Sequence, residues 1–290
     1  MGKKILLLGH TGKLGGALRS ALADRWEVIG RNSRDGDASE ATALAAMVDA
    51  VAPDWILNTI AFMGLDACER DPHRAFRVNA LLPRELALLA ARKGIGLIHF
   101  STEAVFADSP GPPWTEEDCP RPLNMYGITK LGGERLVATL APQAIIIRLP
   151  LLFGPGGRGG QFVEKMAARL ARGESLRIAD DIVTSPSYTP DLAAAVKLML
   201  EGTTAPGLYH LANAGEASLH ELVVALAAGL GFDTTRIDRA RNSDFPGVGR
   251  KMLHTPMASN RWPLLRPWRQ ALLDYCRLLK EMPPCATPIS

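Results

Sequence analysis

The chain has 290 residues, 47% of them hydrophobic and 22% charged, an ordinary globular composition with room for one large domain or for a core with a smaller lobe. Its net charge of +3 is too small and too scattered to point to nucleic acid. Four cysteines (Cys68, Cys119, Cys276 and Cys285) stand without a CxxC pair and read as reduced thiols in a cytoplasmic protein, neither a disulfide framework nor a zinc site.

Lys3-Lys4 lead into Ile5-Leu6-Leu7-Leu8. This run is too short for a signal or membrane segment and fits a strand buried on both faces of a parallel sheet. Gly9, Gly12 and Gly15 follow at intervals of three, and an amphipathic helix continues through Leu18 and Leu22. Between a strand and a helix, small residues let the backbone approach a pyrophosphate. The helix N-terminus adds N–H groups and a positive dipole end. Gly9, Thr11, Gly12, Lys13, Leu14 and Gly15 are therefore the candidate dinucleotide-binding residues, and His10 either touches the cofactor or is a solvated loop histidine.

The second strand, Trp26 to Gly30, ends in Arg31-Asn32-Ser33-Arg34. An acid at that point would bond the ribose 2′-OH of NAD. Arg31 instead suits a 2′-phosphate, so NADP(H) is favoured, while Asp35 and Asp37 keep NAD(H) open. A helix over about Glu40 to Val51 leads to a third buried strand, Pro53 to Ala61, whose carboxyl end should lie over the cofactor. Asp71-Pro72 opens the next helix as N-cap and first turn. That helix runs to about Lys93 and carries Asn79, either a satisfied buried polar group or part of a proton relay.

Gly96 to Phe100 form the fourth strand, with Ser101-Thr102-Glu103 at its end. A hydroxyl there is placed to bond a substrate carbonyl or to cap a turn. A proline-rich loop from Ser109 to Pro122 leads to Tyr126-Gly127-Ile128-Thr129-Lys130 at the start of a helix. Residues i and i+4 share a helix face. The ammonium would then favour phenolate and make the tyrosine a better proton donor at neutral pH; the spacing also fits a surface helix pair. Ala144 to Leu149 make a fifth strand. The alternation argues for an α/β fold with a Rossmann-type doubly wound parallel sheet.

Five glycines between Gly154 and Gly160 read as a mobile loop. Further elements are a helix from Phe162 to Arg172, one from Pro190 or Asp191 to Glu201, a strand from Gly207 to Ala212, and a helix from Ser218 to Leu230 stopped by Gly231. The expected division is a dinucleotide-binding domain over 1–153, with 182–202 returning to it. A small mixed α/β substrate lobe takes 154–181 and 203–282, and 283–290 form a disordered tail. The six histidines show no ligand spacing, so no metal is expected. Trp262 and Trp268 read as packing residues of the small lobe.

These residues resemble the extended short-chain dehydrogenase/reductase family over nearly the whole chain. The markers are Gly9-x-x-Gly12-x-x-Gly15, Asn58 and Ala61 on the third strand, Asn79, Ser101-Thr102 and Tyr126-x-x-x-Lys130. Within that family the likeness is to the dTDP-4-dehydrorhamnose reductases. It is carried by Asp66-x-x-Glu69-x-x-Pro72, Ser101-Thr102-x-x-Val105-Phe106, Pro122 to Lys130, Asp180-Asp181-x-x-x-Ser185-Pro186, and a worn arginine-proline-rich motif from Arg250 to Trp262. The resemblance implies an enzyme in which NAD(P)H delivers a hydride to the C4 ketone of a nucleotide-linked deoxysugar. Tyr126 would donate the proton, Lys130 would hold the nicotinamide ribose and lower the tyrosine pKa, and Thr102 would bond the carbonyl oxygen. It implies cofactor contacts from Asn58, Ala61, Asn79, Tyr126 and Lys130. Substrate contacts would come from Thr102, Glu103, Ala104, Tyr126 and Arg250. A homodimer contact along the helix from Leu131 to Leu140 is also implied.

The substrate half departs from that pattern. Glu103 and Ala104 stand where the reductases place aspartate and tyrosine, Ile182 replaces a glutamine, and Lys251, Met252 and Thr255 replace arginine, proline and serine. The cofactor half is intact, which points to a 4-ketoreductase with an altered sugar pocket. Two other readings stay open. One is an NADP-binding regulatory module resembling the regulatory subunit of methionine adenosyltransferase. The other is a nucleotide-sugar epimerase or dehydratase, which Glu103 beside Thr102 keeps in play.

Overall fold

The computed structural model describes residues 3–108, 110–157 and 161–281. The runs foreseen as strands form β1 (Lys4–Leu8), β2 (Glu27–Arg31), β3 (Trp55–Asn58), β4 (Gly96–Thr102) and β5 (Ile145–Leu149). With Gly207–His210 they make a six-stranded parallel sheet. From the edge at Gly207–His210 the order is β5, β4, β3, β1 and β2. The direction of winding reverses between β1 and β3, so the crevice beyond their carboxyl ends is where an open sheet takes a ligand. Register brings Leu8, Arg31 and Asn58 level at that end.

Both faces are covered, which is why β1, β3 and β5 are largely apolar. Helix α1 (Lys13–Leu22) packs Leu14, Leu18 and Leu22 against Ile5 and Leu7. On the other face, α2 (Ala41–Val51) packs Leu44 and Val48 against Leu6 and Leu8. The short helices α3 (Leu65–Arg70) and α4 (Pro72–Phe76) follow β3, and α4 is capped by Asp71, whose carboxylate accepts from the Arg74 N–H. The single helix expected as far as Lys93 is interrupted by a π-turn at Arg77–Leu81 before α5 (Leu82–Lys93). The cause is Pro83. It has no N–H to give the carbonyl four residues back, which belongs to Asn79. π-Turns of this kind often mark functional sites.

Helix α6 (Met125–Leu140) fills the freed space. A Cβ added at Gly133 would lie 2.2 Å from the Asn79 carbonyl oxygen, and one at Gly127 would lie 2.1 Å from the Ala104 carbonyl oxygen. Only glycine allows α6 to seat on its neighbours there.

The small lobe is built from α7 (Phe162–Ala171), α9 (Leu219–Leu230) and α10 (Trp268–Glu281) around Val163, Leu222, Leu226, Leu272 and Tyr275, with α8 (Thr189–Glu201) returning to pack on the sheet beside α1. Ser218 and Glu221 form a capping box on α9, and Gly231 ends it in the left-handed conformation. Helix α10 was not foreseen, although Trp268, Ala271, Leu272 and Tyr275 recur at helical spacing on its buried face. The strand Gly207–His210, expected in the small lobe, lies instead on the edge of the main sheet beside β5. Because α8 lies over the sheet, the chain leaving it meets the free edge of β5 first. The expected tail at 283–290 and part of the expected glycine loop, 158–160, lie outside the described residues. Among the described residues, no helix is long and apolar enough to cross a membrane.

Gly133→Ala should cost about 1–3 kcal/mol of stability through forced separation of α6 from the π-turn. Thermal unfolding followed by circular dichroism reads this. An unchanged midpoint would mean that α6 slides aside without loss.

Candidate active site

The crevice at the switch point is lined first by the glycine turn. Gly9 has φ of 83°, and a Cβ at Gly15 would sit 2.2 Å from the Gly9 carbonyl oxygen, so the turn closes only with these glycines. The Gly9 N–H donates to the Arg31 carbonyl (2.8 Å), which ties the turn to the end of β2. Helix α1 starts at Gly12 with no side-chain cap and no acid in its first turn. Its leading N–H groups thus have no intrahelical acceptor and face the crevice with the positive end of the helix dipole. This cradle fits a dinucleotide pyrophosphate.

The other cofactor candidates are placed unevenly. Thr11 is half-buried on the turn, and Leu14 is buried in the core, so only its backbone can meet a phosphate. The Arg31 guanidinium folds back to donate to the Gly30 carbonyl (3.1 Å). Beside it, the His10 ring packs so closely on Gly30 that a Cβ there would lie 2.5 Å from the ring. Ala61 is half-buried on the loop after β3. Asn58 and Asn79, expected as cofactor contacts, have their side chains committed within the protein. Asn58 pairs with His99 Nδ1 (3.2 Å) and accepts from the Ile60 N–H. Asn79 accepts from the Phe62 N–H (2.9 Å) and donates to the Phe62 carbonyl and to Thr129 Oγ1. Both are wholly buried and shape the wall of the crevice, because burial obliges their amides to find partners. Lys13 is also turned inward, with its ammonium on the Gly154 carbonyl (2.6 Å) and near Glu164 (3.0 Å).

Tyr126 and Lys130 stand at the start of α6, which a local cap and two tertiary contacts fix. Asn124 caps it by accepting from the Gly127 N–H (2.8 Å), Glu69 accepts from the Met125 N–H (2.8 Å), and Asn124 Nδ2 donates to the Arg250 carbonyl (2.9 Å). With Gly127 against Ala104, the helix rests on the one-turn 3₁₀ segment Glu103–Val105 that follows Thr102. Tyr126 is thereby brought beside Thr102. Burial pushes the Tyr126 phenol up to about 12, with the Thr102 side chain pulling the other way. Lys130 is 2% exposed and donates to the Phe100 carbonyl (2.6 Å). Burial lowers it to about 8, and the charge of Glu134 opposes the change. The expectation that Lys130 would draw the phenol toward phenolate is therefore corrected. Desolvation outweighs the Thr102 hydrogen bond, and the phenol keeps its proton across the neutral range. Burial, then the Lys130 charge, hold His99 well below the usual imidazole range.

Behind Lys130 lies a buried network that sequence reasoning missed. Glu134, one turn further along α6, accepts from Ser101 Oγ and from Arg148 Nε (3.0 Å) and Nη2 (2.8 Å). Arg148 also lies 4.9 Å over the Phe106 ring. The available signals were a lone arginine in the apolar run Ile145 to Leu149, and a glutamate four residues after Lys130.

On the substrate side, Glu103 Oε2 accepts from Thr184 Oγ1 (2.7 Å) and Thr255 Oγ1 (3.0 Å). Burial pushes its carboxyl up to about 7, against both of those hydrogen bonds. Two departures read separately along the chain, Glu103 and Thr255, are thus in contact. Ala104, expected beside the sugar, is 2% exposed with its carbonyl against Gly127. The close seating of α6 shuts it away from any ligand. Arg250 is exposed and contributes its carbonyl to Asn124. Its neighbours Val248 and Gly249 donate N–H groups to Asp66 Oδ1, each at 2.9 Å.

The sequence model of the RmlD substrate binding domain matches residues 3–280. The chain is 34% identical over 282 residues to a dTDP-4-dehydrorhamnose reductase of Mycolicibacterium smegmatis, covering 94% of this chain and 85% of that protein. The crystal structure of a dTDP-4-dehydrorhamnose reductase from Clostridium acetobutylicum superposes with a TM-score of 0.89 at 28% identity, over 96% of this chain and 99% of that one. The enzyme of the same name from Bacillus anthracis, solved in complex with NADP, superposes with a TM-score of 0.90 at 22% identity, over 95% of this chain and 99% of that one.

Arg148→Met, which strands Glu134 in the interior, should cost about 3–5 kcal/mol, and adding Glu134→Gln should recover most of it. Urea unfolding of the two variants checks this. Equal stabilities would mean that the pair is not the unit it looks.

Proposed function

We infer that this chain, which belongs to the RmlD substrate binding domain family, is an oxidoreductase that reduces the C4 ketone of a nucleotide-linked deoxysugar with NADPH. The observation that carries the reading is the convergence of Thr102, Tyr126 and Lys130 beside a glycine cradle suited to a dinucleotide. It is supported by the relatives, which are dTDP-4-dehydrorhamnose reductases. Arg31 at the end of β2 and the NADP held by the Bacillus anthracis protein favour NADP(H) over NAD(H).

Gly9 to Gly15 would hold the dinucleotide, which would supply the hydride. The chain's own residues handle the proton. Tyr126 keeps its phenolic proton up to about pH 12 and gives it to the ketone oxygen as negative charge develops there. The Thr102 hydroxyl donates a hydrogen bond to that same oxygen. Below about pH 8 the Lys130 ammonium is charged and stabilises the phenolate left behind. Lys130 has its pKa lowered, so its charge is present in acid and lost as pH rises through about 8.

We assign the sheet domain, 1–153 with 182–202 and the edge strand Gly207–His210, to the cofactor, and the small lobe to the nucleotide sugar. Glu103 and Arg250 are its proposed substrate contacts. With Glu103 engaged with Thr184 and Thr255 and Ala104 buried, the proposal includes an altered sugar pocket, one that can take a sugar nucleotide other than dTDP-6-deoxy-L-lyxo-4-hexulose. We also propose that copies pair through the outer face of α6, where Ile128 is 48% exposed, and that the enzyme works in the cytoplasm.

Purified protein should oxidise NADPH with at least one nucleotide-linked 4-ketosugar from a panel that includes dTDP-6-deoxy-L-lyxo-4-hexulose. Tyr126→Phe should cut that rate by about 100-fold or more while NADPH still binds. Turnover restricted to dTDP-6-deoxy-L-lyxo-4-hexulose would defeat the altered-pocket proposal, and undiminished turnover in the variant would defeat the mechanism. Across pH, the wild-type rate should fall through a midpoint near 8, where Lys130 loses its charge.

A further inference from the structure

Lys13 stands at the first position of α1, where a cation would ordinarily be read as a phosphate ligand. Its surroundings exclude that role. The side chain is 3% exposed, and the ammonium meets the Gly154 carbonyl (2.6 Å), the Gly156 carbonyl (3.3 Å) and Glu164 Oε1 (3.0 Å). An ammonium has three donors, and all three are spent inside the protein. Glu164 belongs to α7 of the small lobe. Its Oε1 also accepts from the Tyr275 hydroxyl of α10 (3.0 Å), and its Oε2 accepts from the Gln161 N–H (3.1 Å). One buried cation therefore joins the pyrophosphate helix to both a backbone loop and two helices of the other lobe.

The loop is laid directly on the proposed cofactor site. Gly154, Gly156 and Gly157 all have positive φ, and a Cβ at Gly157 would come within 3.2 Å of the Lys13 backbone nitrogen. That nitrogen is among the leading N–H groups of α1. A dinucleotide entering the cradle must meet this loop. Any shift of the loop is transmitted through Lys13 and Glu164 to α7 and α10, because a buried ion pair cannot be parted without stranding a charge.

We propose that Lys13 is a positioning residue that couples the two binding sites, so that filling the dinucleotide cradle sets the small lobe for the nucleotide sugar and the reverse. This rests on the reductase reading above. Linkage requires the coupling to be reciprocal. Lys13→Met alone would leave Glu164 without its cation, so the double variant Lys13→Met/Glu164→Gln is the cleaner test, since it removes both charges together.

The experiment is calorimetric titration of NADP⁺ with and without saturating dTDP, in wild type and double variant, after each nucleotide has been shown to bind alone. In the wild type dTDP should tighten NADP⁺ by about fivefold or more. In the double variant the ratio should fall to about one. A wild-type ratio of one, or the full ratio retained in the double variant, would overturn the coupling and leave the reductase reading standing. A wild type that binds neither nucleotide would overturn the reductase reading and the coupling with it.

Discussion

Everything at the candidate active site depends on how closely α6 approaches its neighbours. Gly127 and Gly133 put the helix axis where a methyl group would overlap the carbonyls of Ala104 and Asn79. That approach is possible only because Pro83 leaves the Asn79 carbonyl out of the helical ladder and opens a π-turn. Tyr126 and Lys130 are carried into the protein on this helix, and the same seating that places Tyr126 beside Thr102 buries Ala104.

Burial then sets the chemistry. A phenol and an ammonium withdrawn from water both shift toward their neutral forms, Tyr126 upward and Lys130 downward. The tyrosine thus keeps its proton at neutral pH. The lysine ammonium donates a hydrogen bond to the Phe100 carbonyl, and the charge of Glu134, a turn away, opposes the downward shift. Glu134 in turn is held by Ser101 and Arg148. Ser101, Glu134 and Arg148 form one hydrogen-bonded polar cluster in an apolar interior.

On the opposite wall, the two lobes are stitched by side chains far apart in the chain. Asp66 holds the backbone at Val248 and Gly249, Asn124 holds Arg250, and Glu103 holds Thr184 and Thr255. The late segment that departs most from the reductase pattern is therefore fastened at the mouth of the site. Glu103, just past the end of β4, thus reaches Thr255 of that segment as well as Thr184, so residues far apart in the chain make one wall.

The sequence by itself determined the sheet and its cofactor end. Continuous apolar runs have few alternatives to buried parallel strands, and glycines at three-residue intervals between a strand and a helix have few uses other than a tight turn over a phosphate. The pair Tyr126 and Lys130 was legible for the same reason, since helical spacing is local. The tertiary structure alone decided which polar groups find partners inside the protein. Lys13, Asn58 and Asn79 carry the residue types of a binding site, yet each spends its donors inside the protein. Glu134 and Arg148 look unremarkable in the chain but support Lys130 from behind. The direction of the tyrosine shift also escaped the spacing argument. It is set by desolvation, and how much water a residue loses is a property of everything packed around it.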